Sequence, residues 1–194
     1  MTTPDSPRFT LVSAVYGVAG FLEDFISSIE KQTFPLDRVQ VVMVDDGSVD
    51  GSLDLLRAWA ERRPELVTLV TQANAGQAMA RNQGLEHATG EWVTFPDPDD
   101  ALSERYLENV DRFISEHAEV DLVATNRWIW NDETGQVTNT HPLRHMLNSQ
   151  CTSLGSVTES ILIHMPTDQP VPRVSSSGST VLLVLVSAGS LRST

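Results

Sequence analysis

Two short stretches hold five aspartates between them, and each follows a run rich in β-branched or aromatic residues: Val44-Asp45-Asp46-Gly47-Ser48 and Phe95-Pro96-Asp97-Pro98-Asp99-Asp100. If the two runs are neighbouring strands, these carboxylates converge on one crevice, where their repulsion must be offset by a cation or by hydrogen-bond donors. Hard oxygen donors suit Mg2+ or Mn2+, ions usually held by one or two carboxylates together with the phosphates of a nucleotide. A strongly acidic protein can bind an anionic substrate in this way. Taken singly, each stretch also fits ordinary turn chemistry, because Asp-Gly after a strand is a common reversal. Both readings stand at this point.

Other constellations are weaker. His141 and His145 have the i, i+4 spacing of paired ligands, but Pro142 and the lack of an HExxH pattern favour a solvent-facing pair. Gly17-Val18-Ala19-Gly20 lacks the GxGxxG spacing of a dinucleotide site. Trp128 and Trp130 flank Ile129 as core residues or as an acceptor platform, and Cys151 reads as an inert thiol.

The elements that must position the aspartates alternate. Strands are expected at Phe9–Tyr16, Val39–Val44, Val67–Thr71, Glu91–Phe95 and Val120–Thr125. Between them lie amphipathic stretches: Leu22, Phe25, Ile26 and Ile29; Leu53, Leu56 and Trp59; about Gln77 to Ala88; and Leu107, Val110 and Ile114 behind a Ser103 N-cap. This β-α-β order predicts an α/β domain with a mostly parallel central sheet flanked by helices, with ligands beyond the carboxyl ends of the strands.

The chain has 194 residues, 26 acids against 13 bases and a formal net charge of -13, with 40% hydrophobic residues. That suits one domain with a real core. It disfavours nucleic acid, whose phosphates need basic partners, and repels an anionic membrane surface. The longest late apolar run, Val181 to Val186, is far short of the ~20 residues of a spanning helix. With one cysteine and no signal-peptide pattern, a cytoplasmic setting is expected, peripheral at the inner membrane face through partners at most. Residues 151–194 hold 15 Ser or Thr and no aromatic residue. They are expected to form a poorly ordered tail, with Ser160–His164 and Thr180–Val186 as strands in the alternative reading. The domain is then residues 9–150, after an N-terminal extension of residues 1–8.

Taken together and in order, the motifs resemble the nucleotide-sugar domain of the family 2 glycosyltransferases, which have an inverting, Rossmann-like GT-A fold. The resemblance covers about residues 9–130 and rests on Leu11 to Gly17, Lys31-Gln32-Thr33-Phe34, Val44 to Ser48, Asn74-Ala75-Gly76, Ala80-Arg81-Asn82-Gln83-Gly84, Ala88 to Trp92 and Asp97-Pro98-Asp99-Asp100. It implies that Asp46 accepts the N3–H of a uracil-like base and that Ala14 and Tyr16 line the base pocket. It implies further that Arg81 faces the diphosphate, that Asp97 and Asp99 hold the ribose and Mn2+ or Mg2+, and that Asp100 contacts the sugar or supports its neighbours. The donor would be a nucleotide-diphosphate sugar, a UDP-sugar first, and the acceptor a glycan, lipid or polymer.

The chain departs from the family at Gly17, where the family has Asn, and at Pro96 and Pro98, which stiffen the acidic loop. The family's general base, a Glu-Asp element downstream, has no counterpart. Asp132-Glu133-Thr134-Gly135 reads as a hairpin turn, and Glu159 and Asp168 are poor candidates. The catalytic base is therefore unassigned, and a truncated chain or a non-catalytic nucleotide-binding module is the alternative. A dehalogenase-type phosphoryl transferase is disfavoured because its Asp-x-Asp pair would need an acid at Gly47.

Overall fold

A computed structural model describes residues 6–118, 122–125, 129–130, 137–138, 161–163 and 183–187. The expected alternation is present: β1 (Phe9–Val15), α1 (Ala19–Glu30), β2 (Val39–Asp45), α2 (Ser52–Arg62), β3 (Val67–Thr71), α3 (Gln77–Leu85), β4 (Trp92–Thr94), α4 (Tyr106–Glu116) and β5 (Leu122–Thr125). Two short strands, β6 (Ile129–Trp130) and β7 (Val137–Thr138), pair antiparallel across the expected hairpin, whose turn residues lie outside the described residues. Of the segment read as a tail, β8 (Ile161–Ile163) and β9 (Leu183–Ser187) are strands, in keeping with the alternative reading of those two stretches. The rest of it, with Cys151, Glu159 and Asp168, lies outside the described residues, as do Trp128, His141 and His145.

The main sheet runs β3-β2-β1-β4-β9-β5-β8. Strands β3, β2, β1 and β4 are parallel, β9 is antiparallel to both β4 and β5, and β5 is parallel to β8. Parallel strands covered on both faces read as nearly continuous apolar runs. β1 and β2 do so, and they pair in register from Phe9 opposite Val39 to Val15 opposite Asp45.

One face of the sheet packs Phe9, Leu11, Val41 and Met43 against Leu22, Phe25 and Ile29 of α1, Leu56 and Trp59 of α2, and Leu107 and Val110 of α4. The other face packs Val12, Val42, Val44 and Val93 against Ala80 of α3. Helix α3 lies so close to the strands that a Cβ on Gly84 would stand 2.3 Å from Val12 Cγ1. Among the described residues, no helix is long and apolar enough to cross a membrane.

One expectation is corrected, and one condition posed above is not met. Ser103 does not cap α4: the helix begins at Tyr106, and the side chain of Gln32 accepts the Leu107 N–H at 3.0 Å while donating to the Ser103 carbonyl at 2.7 Å. The end of α1 thus supplies the acceptor that the first turn of α4 lacks. Strands β2 and β4 are also not neighbours, because β1 lies between them.

Candidate functional site

Three loops leave the carboxyl ends of β2, β1 and β4 side by side, and hydrogen bonds tie them together. The Ser13 hydroxyl on β1 donates to the Pro96 carbonyl at 2.8 Å, and the Asp46 N–H donates to the Val15 carbonyl at 2.8 Å. The two acidic stretches are therefore braced from the strand between them.

Helices α1, α2 and α3 begin at this edge, and at none of them does the N-cap residue supply a side-chain cap. Acids from neighbouring loops substitute. Asp50 accepts the Ala19 N–H at 2.9 Å and the Ser52 N–H at 3.1 Å, so one carboxylate serves the starts of α1 and α2. The Ser52 hydroxyl first, then the Ala19 N–H, hold its carboxyl below the usual range. Asp46 does the same for α3. Its Oδ1 accepts from Gln72 Nε2 at 2.7 Å and from the Ala75 N–H at 2.8 Å, and its Oδ2 accepts the Gly76 N–H at 2.9 Å. Burial alone would raise the Asp46 carboxyl; the donors from Ala75, Gln72 and Gly76 together outweigh it and hold the group low. An ionised carboxylate at a helix N-terminus is also favoured by the helix dipole.

Asp97 is different. It is buried at 8% exposure, and among the described residues only Oδ1 is engaged, by Arg81 Nη2 at 2.7 Å and Gln77 Nε2 at 3.2 Å. Gln77 and Arg81 are i, i+4 on α3, so one helix face delivers both donors. Burial, assisted by the like charge of Asp99, pushes the Asp97 carboxyl up, and the charge and hydrogen bond of Arg81 offset only part of that. Asp99 and Asp100 follow on the half-buried rim of the same loop.

Of the other residues expected here, Ala14 is half-buried near the end of β1, beside Val44 of β2. Tyr16 emerges just beyond it, 57% exposed. The fold thus brings Asp46, Arg81 and Asp97 into one connected network through Gly76 and Gln77. Asp45 turns inward, with both carboxylate oxygens 3.3–3.4 Å from the Ser48 N–H. Gln72, Gln77 and Asp50 were not singled out from the sequence. Gln77 carried a usable signal, because it stands four residues before Arg81 on a helix expected to start there.

Carboxylate oxygens from Asp97 and Asp99 are a donor set suited to a hard divalent cation. Among the described residues no group of three or more His, Cys, Asp or Glu side chains could hold an ion, so a cation here would complete its shell with oxygens from a ligand or water.

The family model for glycosyl transferase family 2 matches residues 10–167. The minor teichoic acid biosynthesis protein GgaB of Bacillus subtilis is 34% identical over 146 residues, which is 75% of this chain and 15% of that protein. Staphylococcus aureus TarS 1-349, solved in complex with UDP, superposes with a TM-score of 0.59 at 29% identity, covering 64% of this chain and 37% of that one. The mannosyltransferase PcManGT of Pyrobaculum calidifontis, solved with GDP-Man and Mn2+, gives a TM-score of 0.58 at 34% identity, covering 63% and 36%. The chain thus spans well under half the length of each of these proteins.

Proposed function

The chain belongs to glycosyl transferase family 2 and has its GT-A fold, and from that premise we propose that it binds a nucleotide-diphosphate sugar for metal-dependent, inverting transfer to a glycan, lipid or polymer acceptor. The observation that carries the reading is the Arg81–Asp97 pair, a cation and a half-engaged carboxylate at 2.7 Å at the mouth of β4, beside Asp99. TarS with UDP and PcManGT with GDP-Man and Mn2+ support both a nucleotide and an ion at such a site. We favour a UDP-sugar.

In this reading Tyr16 stacks on the base with Ala14 beneath it. An ionised carboxylate has about four acceptor positions, so Asp46, with three donors already placed, keeps one on Oδ2 for a base N–H. Arg81 turns its permanent charge to the diphosphate. Asp97 and Asp99 hold Mn2+ or Mg2+, Asp97 also orients the ribose, and Asp100 contacts the sugar. When bound, the ion supplies positive charge to the departing nucleoside diphosphate, typically worth several kcal/mol. The acceptor-deprotonating base is not assigned. A cytoplasmic setting belongs to the same proposal, and so does any activity of the whole protein.

Thermal shifts with UDP, CDP, dTDP, GDP and NAD, each with Mn2+ and with chelator, test the reading. Ligand at a hundred times Kd stabilises the native state by about 2.7 kcal/mol when it binds only that state. A UDP shift that needs Mn2+ is expected, and an NAD shift in its place would refute the proposal. A separate multiple-turnover assay distinguishes a transferase from a nucleotide-binding module. Because acceptor deprotonation typically contributes about 10²–10⁴-fold and no base is assigned, the 194-residue chain is expected to bind donor but transfer slowly.

A further inference from the structure

Asp46 and Asp97 stand at the ends of strands separated by β1, yet one short stretch of chain touches both. Ala75 and Gly76 donate their N–H groups to Asp46 at 2.8 and 2.9 Å, and the next residue, Gln77, donates its side-chain amide to Asp97 Oδ1 at 3.2 Å. The first turn of α3 is closed behind Gln77 by the Ala80 N–H on the Gly76 carbonyl at 3.1 Å. The reach of the Gln77 amide toward Asp97 is therefore set by a backbone that is itself pinned to Asp46.

The second donor on Asp97 Oδ1 is Arg81, and its charge makes it the partner a ligand contests. A diphosphate competes for a guanidinium through charge-assisted, bidentate hydrogen bonds. It has far less hold on a neutral amide. If Arg81 turns to the diphosphate, Gln77 is the donor left on Oδ1 to hold the orientation of the buried carboxylate. A buried carboxylate without a donor would instead reorient, and would then be a poorer ligand for a cation.

We propose that Gln77 is a positioning residue that holds the Asp97 carboxylate in place for a cation once Arg81 has turned to the diphosphate. The inference rests on the nucleotide-sugar reading above and deepens it. Calorimetry of UDP and of uridine, each in Mn2+ and in chelator, on the unaltered chain, Gln77→Ala and Gln77→Glu, tests it. Gln77 is exposed at the start of its helix, so both variants are expected to keep the parent melting temperature.

In Gln77→Ala the gain in UDP affinity from Mn2+ falls about tenfold, the worth of one hydrogen bond to a charged acceptor, while uridine affinity and metal-free UDP affinity stay unchanged. Gln77→Glu, which sets a like charge against Asp97, loses more of the Mn2+-dependent gain. An undiminished gain in both variants overturns the inference alone. Equal loss of uridine and UDP affinity in both media also overturns it, by showing only a structural role. Absence of Mn2+-dependent UDP binding in the unaltered chain removes the nucleotide-sugar reading and this inference with it.

Discussion

The Asp45-Asp46 turn after β2 and the Asp97-Asp99-Asp100 loop after β4 carry the same side-chain chemistry and lie on either side of one strand, yet they are electrostatic opposites. Both Asp46 oxygens are engaged: three N–H donors hold its carboxylate ionised and tie β2 to the start of α3. Asp97 differs: among the described residues only one of its oxygens is engaged, and its carboxyl is pushed up by burial and by Asp99. The number of acids in a motif therefore says little about whether it invites a cation. What decides is how many backbone N–H groups the neighbouring elements aim at each carboxylate.

The largest expected effect concerns stability. Asp46→Ala strands the Gln72 amide and two backbone donors at the edge of the core, and is expected to cost about 2–3 kcal/mol in urea unfolding. Asp97→Ala is expected to cost about 1 kcal/mol or less, since Arg81 can reach water. Equal losses would erase the distinction between the two loops.

Binding should reverse the order. Asp99→Asn keeps the side chain's shape but removes a negative ligand, and is expected to weaken UDP binding in Mn2+ by about tenfold, or 1.4 kcal/mol, with no change in chelator. Asp46→Asn should lower affinity for UDP and uridine alike, with and without metal. Calorimetry that shows the same metal dependence in both variants would place the cation elsewhere.

A smaller effect is expected at Gly47, whose φ of +77° and whose Cβ position, 3.1 Å from the Asn74 N, disfavour a side chain. Gly47→Ala should lower stability by about 1 kcal/mol in thermal unfolding, because it strains the turn that presents Asp46.

The smallest effect is a pH dependence with opposite signs. The folded carboxyl of Asp46 lies below its ordinary 3.8, so its contribution to stability is present above that value and is lost as pH falls through the folded one. Asp97, raised by burial, contributes fully below 3.8 and loses that contribution as pH rises through its folded value. Urea midpoints measured from pH 3 to 7 for the parent and for Asp46→Asn should converge at the acid end. A constant gap would show that Asp46 is not ionised in the fold.

Most strands were legible because each is a β-branched run bounded by Gly, Pro or Asp, and β3 keeps the expected boundaries. The helix starts were less legible. Ser103 is a good cap by residue type, but Gln32, 75 residues from Leu107 in sequence, accepts a hydrogen bond from the first turn of α4. Local propensity carries no information about such a partner. Trp59 and Leu56 were recognised as a buried face by their spacing, whereas the tie from Asp50 to α1 joins residues 31 positions apart.

Sequence by itself determined the α/β alternation, the acidic strand ends and the family, because apolar periodicity and motif order are local and survive without coordinates. Tertiary structure decided what each aspartate does. Only the sheet order puts β1 between the two acidic strands. Only the approach of α3 to the sheet, permitted by Gly84, delivers two backbone donors to Asp46 while Arg81 and Gln77 share one oxygen of Asp97. The state of a carboxylate depends on which donors stand within about 3 Å, and that distance is a property of packing between elements remote in sequence.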